Sequence, residues 1–296
     1  VIGKNKKMKK TVGERVFDIL VHGILLLCFL IILFPLMYVV AGSLASAKEL
    51  AENKFLIIPK EPTLDVYKYI LSTKTFPRSI AVTTLVTIVG TFVNLIMTCL
   101  TAYPLARRNL LGRKWLMLGV TFTLVFSGGL IPTYLVVNSM GLIDKYAALI
   151  IPGAISSFNL VLVKNFFQEI PESLIEAAKI DGSSEINTLT KIVLPLSKPA
   201  LATFTMFYAV GHWNQFLQPL LYLNDSKKWT VQILLRQIVM LSSTSGEDDG
   251  MMPGFILPMM SLKLAVVVVS TLPIIMAYPF MQKYFDKGVM VGSVKG

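Results

Sequence analysis

Six runs of about 20 apolar residues dominate this chain, each long enough to cross the hydrocarbon core of a bilayer as a helix. They lie at roughly 16–44, 79–106, 115–137, 146–168, 199–223 and 259–282. In lipid every backbone N–H and C=O must be satisfied within the protein, and a helix does this inside a single segment. The expected fold is therefore an all-α integral membrane protein with six transmembrane helices. Composition agrees: 54% of the 296 residues are hydrophobic and only 15% charged, with a mean hydropathy of +0.66. The first run follows the basic stretch KNKKMKK and ends at Ala45-Ser46-Ala47, as a signal peptide would. Its apolar core exceeds the 7–15 residues of such a peptide, and five more runs follow, so it reads as a retained first span.

The net charge of +11 is a matter of topology rather than of nucleic-acid binding. With the N-terminus in the cytoplasm, 17 of the 28 Lys and Arg residues fall on inner segments. The tight turn RRNLLGRK, Arg107–Lys114, orients the chain most strongly, because short loops beside spans dominate the positive-inside rule. Both termini are then cytoplasmic. The chain divides into a basic N-terminus (1–15), a six-span domain (16–285) and a C-terminal tail (286–296). The outer connections are 45–78, Gly141–Lys145 and a polar stretch near 224–257, whose segment SSTSGEDDG, Ser242–Gly250, reads as a solvated loop. Cys28 and Cys99 both lie inside apolar runs and offer neither a disulfide framework nor a metal cluster.

Between the fourth and fifth runs, on the cytoplasmic side, lies a segment polar enough for water, 169–198. Pro171 suits a first helical position, and Glu172 and Glu176 suit the positive end of a helix dipole. PESLIEAAKID thus reads as a helix of three turns, which Gly182 terminates. Ser183 or Ser184 can cap a second helix, with Glu185 in its first turn and Ile186, Leu189, Ile192 and Val193 at helical spacing. Leu194-Pro195 is expected to break it just before the fifth span. An interfacial helix is the other reading, but the acids Glu172, Glu176, Asp181 and Glu185 disfavour an anionic leaflet. A protein partner fits better.

Glu176-Ala177-Ala178, three residues, Gly182, nine residues, then Ile192-Val193-Leu194-Pro195 resembles the complete EAA motif of binding-protein-dependent ABC importer permeases. The stretches GLIPTYLVVNSMGLIDKYAALIIPGAISSFN, VLPLSKPALATFTMFYAVGHWNQF and YPFMQKYFDKGVMVGSVKG are similar to the carbohydrate-uptake branch, and within it to the lipoprotein or polysaccharide transport permeases. The resemblance implies a coupling helix that docks on a separate ATP-hydrolysing subunit. Glu176, Ala177, Ala178, Asp181 and Gly182 would make that contact, with Leu194 and Pro195 at the exit. It implies two ATP-binding subunits that use ATP and Mg, a second, related permease, an extracytoplasmic solute-binding protein, and a place in the bacterial cytoplasmic membrane. The chain itself carries no GxxxxGK[ST] loop to cradle phosphates. It is expected to bind no cofactor or metal and to transport rather than catalyse.

Polar groups within spans are functional candidates, because burying them in lipid is costly. The fourth run offers Asn159, and the fifth offers Tyr208, His212, Trp213, Asn214, Gln215, Gln218 and Tyr222. Amides, hydroxyls and ring faces suit a sugar, and the other reading of each residue is helix–helix hydrogen bonding. His212 taken alone reads as a packed histidine, and Lys263 as a snorkelling one-ended cation. Ser127-Gly128-Gly129 with Pro132, and Pro152-Gly153, interrupt the third and fourth runs. The competing class is an ion-coupled secondary sugar carrier. A proton relay wants intramembrane carboxylates, and the spans hold none beyond Asp18 at the mouth of the first. A membrane-embedded enzyme is disfavoured too, because His22 and His212 are far apart and assemble no catalytic set.

Overall fold

The computed structural model describes residues 11–52, 56–244 and 259–292, and all regular elements among them are helical. Helix α1 (Val12–Leu44) opens with a reciprocal cap: Thr11 Oγ1 accepts from the Glu14 N–H, and the Glu14 carboxylate accepts from the Thr11 N–H. Two short helices, α2 (Ala47–Glu52) and α3 (Asp65–Ser72), occupy the link to α4 (Thr75–Ala106), which runs unbroken for 32 residues. The third run forms α5 (Arg113–Val125) and α6 (Leu130–Ser139). The fourth forms α7 (Ala147–Ile150) and α8 (Ser157–Gln168). Helix α9 (Glu172–Ile180) precedes α10 (Glu185–Thr188), which passes through a π-helical turn at Leu189–Val193 into α11 (Leu194–Leu196). Then come α12 (Lys198–Trp213), α13 (Leu217–Tyr222), a 3₁₀ turn at Ser226–Lys228, α14 (Val231–Thr244) and α15 (Met259–Gly292).

Among the described residues three helical stretches are long and apolar enough to cross a membrane: α1, α4 and Met260–Pro279 of α15. Counting each bent helix pair as one span raises the number to five. The interruptions have local causes. Helices α5 and α6 meet at 117°, where Gly129 takes a φ of +83° that L side chains rarely adopt. The fourth run is not one helix, and its interruption spans Pro152-Gly153, where the sequence places it. Pro152 lacks an N–H for the ladder, and α8 restarts only where Ser156 accepts from the Asn159 N–H. The expected polar link near 224–257 also differs: residues 231–244 are helical, so Ser242–Thr244 end α14, and 245–250 of the acidic stretch lie outside the described residues.

The chain forms two compact units. One comprises the described residues up to Tyr69, the end of α14 from Ser242 and the start of α15 up to Val268. There Gly42 of α1 permits close approach, since a Cβ would stand 2.5 Å from Leu264 Cδ1, and Ser43 Oγ bonds Tyr67 Oη at 2.6 Å. Most of α1 before Ala41 is exposed apolar surface, as expected of a helix whose solvent is lipid or another membrane helix.

The other unit comprises Ile70–Leu241 and the rest of α15. Helix α4 passes through both of its cores. One gathers Ala102 and Leu105 with Val163, Phe167, Val193 and Phe204, and the other gathers Val82 and Val86 with Val137, Leu149 and Tyr222. Beside the second core, Asp144 adopts a φ of +61°. Its carboxylate accepts from the N–H groups of Asn224 and Asp225 and from Lys228 Nζ at 2.6 Å, clasping two connections together. The Lys228 bond, then the backbone donors, hold the Asp144 carboxyl below its ordinary 3.8. A lowered folded value means stability that is present above 3.8 and lost as pH falls through the folded value. Replacing Asp144→Asn should therefore lower the melting temperature of the solubilised protein at pH 7, with the gap to the parent closing below pH 3.8; scanning fluorimetry across that range is the check.

Candidate coupling segment and transport path

The polar segment folds as a helix, a glycine turn and a second helix. Glu172 in the first turn of α9 and Lys179 in its last both suit the helix dipole. At its end the Gly182 N–H bonds Lys179 O at 3.0 Å and the Ser183 N–H bonds Ala178 O at 2.9 Å, the two bonds of a Schellman stop with glycine in the left-handed position. Gly182 has a φ of +77°, while nothing lies within 4 Å of a Cβ placed on it. The backbone, not crowding, demands glycine there. Ser184, rather than Ser183, caps the second helix by accepting from the Asn187 N–H.

Glu176, Ala177, Asp181 and Gly182 are all exposed along this turn, whereas Ala178 is buried beneath it with Ile175. Leu194 is half-buried and Pro195 exposed. The expected break at Leu194-Pro195 falls instead at Ser197, where the axis turns by 87°. The Leu194 N–H bonds Leu189 O, five residues back, and this wide turn makes room for the Pro195 ring inside the helix. Ile186, placed by its spacing on a buried face, is 71% exposed, and Ile180 is 86% exposed. These two apolar side chains beside Gly182 join the displayed surface, and only the turn geometry reveals them.

A polar cluster ties the segment to the end of α4. Tyr103 Oη donates to Glu185 Oε2 at 2.6 Å, Arg107 reaches both Tyr103 Oη and Glu185 Oε2, and Lys179 Nζ pairs with Glu185 Oε1 at 2.9 Å. The Tyr103 bond first, then Lys179, holds the Glu185 carboxyl below its ordinary value. A cleft of about 240 Å³ opens beside it, lined by Arg107, Arg108, Gln168, Pro171 and Glu172 among others.

Within the helices, the candidate path residues divide by exposure. Tyr208 is buried, its Oη 2.7 Å from Thr98 Oγ1. His212 is buried with Nε2 2.9 Å from Asn94 Oδ1, and Asn94 Nδ2 donates to Gly153 O at 2.7 Å. Because that amide nitrogen serves a carbonyl, its oxygen faces the ring and His212 Nε2 carries the proton. Trp213 Nε1 donates to Ser270 O at 3.0 Å, and its ring lines an apolar cleft of about 210 Å³ with Thr87, Val210 and Pro273. Gln215 Nε2 donates to Leu149 O. Asn159 is buried, and Tyr222 stacks on Tyr134 at 6.1 Å. Asn214 and Gln218 are exposed. Asn94 and Thr98, absent from the sequence reading of the path, are the α4 side of this network. Their signal was a polar residue inside an apolar run. Among the described residues no group of three or more His, Cys, Asp or Glu could hold a metal.

The model of the family described as "Binding-protein-dependent transport system inner membrane component" matches residues 8–291. Protein LplC of Bacillus subtilis (strain 168) is 52% identical over 291 residues, covering 98% of each chain. The polygalacturonan/rhamnogalacturonan transport system permease protein YtcP of the same organism is 51% identical over 284 residues, covering 96% of this chain and 99% of that one. A chain of a bacterial ABC transporter involved in the import of the acidic polysaccharide alginate superposes with a TM-score of 0.87 at 30% identity, covering 94% of this chain and 99% of its own. The chain belongs to the binding-protein-dependent transport system inner membrane components, the permeases of ABC importers.

The polar network makes a prediction about packing. A Cβ on Gly90 would stand 2.5 Å from His212 Nε2, so Gly90→Ala should destabilise the solubilised protein by about 1–3 kcal/mol, the usual cost of overpacking. Combining it with His212→Ala should recover part of that loss in thermal unfolding.

Proposed function

We propose that this chain is one permease half of an ATP-driven importer that moves an oligosaccharide into the cytoplasm by alternating access. The observation that carries the reading is the EAA segment displayed on a Schellman turn, with Glu176, Ala177, Asp181 and Gly182 exposed together. On this reading α9 is the coupling helix, and each of two ATP-binding subunits, using ATP and Mg, receives one such turn. The second permease is a related chain, and an extracytoplasmic solute-binding protein delivers the sugar to the outer loops. The membrane is the bacterial cytoplasmic one. On this reading the chain has six spans, with α7–α8 as a broken fourth, and both termini and the coupling segment lie in the cytoplasm. YtcP is named for polygalacturonan/rhamnogalacturonan transport and the alginate importer's title for import of an acidic polysaccharide, which supports a sugar chain, with uronate oligomers foremost.

For the path, Asn214 and Gln218 meet the sugar, while Tyr208, His212, Trp213, Gln215, Asn159 and Tyr222 form the wall behind them. The exposure of the first two and the internal bonds of Tyr208, His212, Trp213 and Gln215 support this division.

Purification of the tagged chain in mild detergent tests the assembly. Two ATP-binding subunits and a second permease should accompany it, and a chain that comes alone after crosslinking would reopen the secondary-carrier reading. Gly182→Val should cut uptake at least about tenfold at unchanged membrane abundance, because the φ strain deforms the docking turn; normal uptake would remove the coupling assignment. Asn214→Ala and Gln218→Ala should each raise the KM of uptake about two- to tenfold, as losing one hydrogen bond does, without lowering the melting temperature.

A further inference from the structure

The coupling reading leaves open how a push on α9 reaches the spans. Along the chain, that push meets three soft joints: the left-handed Gly182, the π-helical turn at Leu189–Val193 and the 87° bend at Ser197. A side-chain route bypasses all three. Lys179 in the last turn of α9 holds Glu185 Oε1, and the other oxygen of the same carboxylate holds Tyr103 of α4 and Arg107, which caps that helix. The Arg107 guanidinium also lies 4.7 Å from the Tyr103 ring centroid, which keeps these two partners together.

Helix α4 is continuous from this point inward. At 1.5 Å per residue, Asn94 lies about 20 Å along it from Arg107. There it bonds His212 of α12 and Gly153 at the break of the fourth run, and Thr98 bonds Tyr208 on the way. Movement delivered to the end of α4 thus reaches the wall of the path through hydrogen bonds at fixed positions.

Resting on the importer reading, we propose that Lys179, Glu185, Tyr103 and Arg107 form a strut that carries movement of α9 directly into α4, making Glu185 and Tyr103 positioning residues that set how much sugar moves per ATP. A purely structural role fits poorly. The side chains of Lys179 and Glu185 are 54% and 57% exposed, and pairs in that setting add little to stability.

The test uses the complete complex in proteoliposomes, with a labelled mixture of galacturonate, mannuronate and glucose oligosaccharides. Uptake and ATP hydrolysis are measured together for the parent, Glu185→Gln and Tyr103→Phe, the last removing a single oxygen. Both variants should retain the ATP-binding subunits and hydrolyse ATP at close to the parent rate, with sugar moved per ATP falling about fivefold, the low end of ordinary allosteric coupling. A parent that couples normally while its variants keep the same ratio, or lose uptake and hydrolysis in parallel, overturns the strut alone. A parent that carries no ATP-binding subunits, or shows no ATP-driven uptake, overturns the importer reading and the strut with it.

Discussion

The buried amide of Asn94 answers the demand on which the rest of this structure depends, that no backbone carbonyl be left without a partner in lipid. The fourth apolar run is broken by Pro152, and a broken helix exposes carbonyls. Asn94 Nδ2 satisfies Gly153 O, and Gln215 Nε2 satisfies Leu149 O, so the break is closed by side chains from other parts of the bundle. The same Asn94 amide holds His212, whose ring is so close to Gly90 that only hydrogen fits there. Continuity of α4, the break near Gly153 and the packing of α12 are therefore one arrangement rather than three.

Helix α4 acts as the mast of its unit. It contributes to both apolar cores, its Thr83 hydroxyl accepts the first N–H of α14, and Tyr103 and Arg107 at its end grip Glu185 of the polar segment. Near the other core, Asp144 and Lys228 clasp the two connections. The interactions at both ends are ionic or charge-assisted and involve partly exposed side chains, where water lowers their energetic weight but leaves their geometry. Within the spans the links are neutral hydrogen bonds between threonine, tyrosine, asparagine and histidine, which lipid tolerates.

Parts of this architecture were legible from residues alone. Gly182 after a three-turn helix and a serine, Ser183 or Ser184, before Glu185 are local devices, and local devices act through a few neighbouring backbone groups. The break in the third run was legible for the same reason, because Gly128 and Gly129 interrupt it directly. Ile186 shows where such reading stops: its spacing matched Leu189 and Val193, but the π-helical turn shifts the face, leaving it exposed. Likewise Pro195 signals a break only in an α-helix, and a wider turn carries the chain on to Ser197. The candidate path residues came from the fourth and fifth apolar runs, and the sequence could not divide them by exposure, since exposure depends on which neighbour each polar atom meets.

The sequence by itself determined the all-helical class, the polar segment between the fourth and fifth apolar runs and the glycine that ends its first helix, because periodicity, apolar length and backbone preference are properties of contiguous residues. Only the tertiary structure decided that Tyr103 and Arg107 meet Glu185, that Asn94 closes a break 59 residues away, and that Asn214 and Gln218 stay exposed while Tyr208, His212 and Trp213 turn inward. Those are distances between residues remote in the chain, and a hydrogen bond between them exists only once the helices have packed.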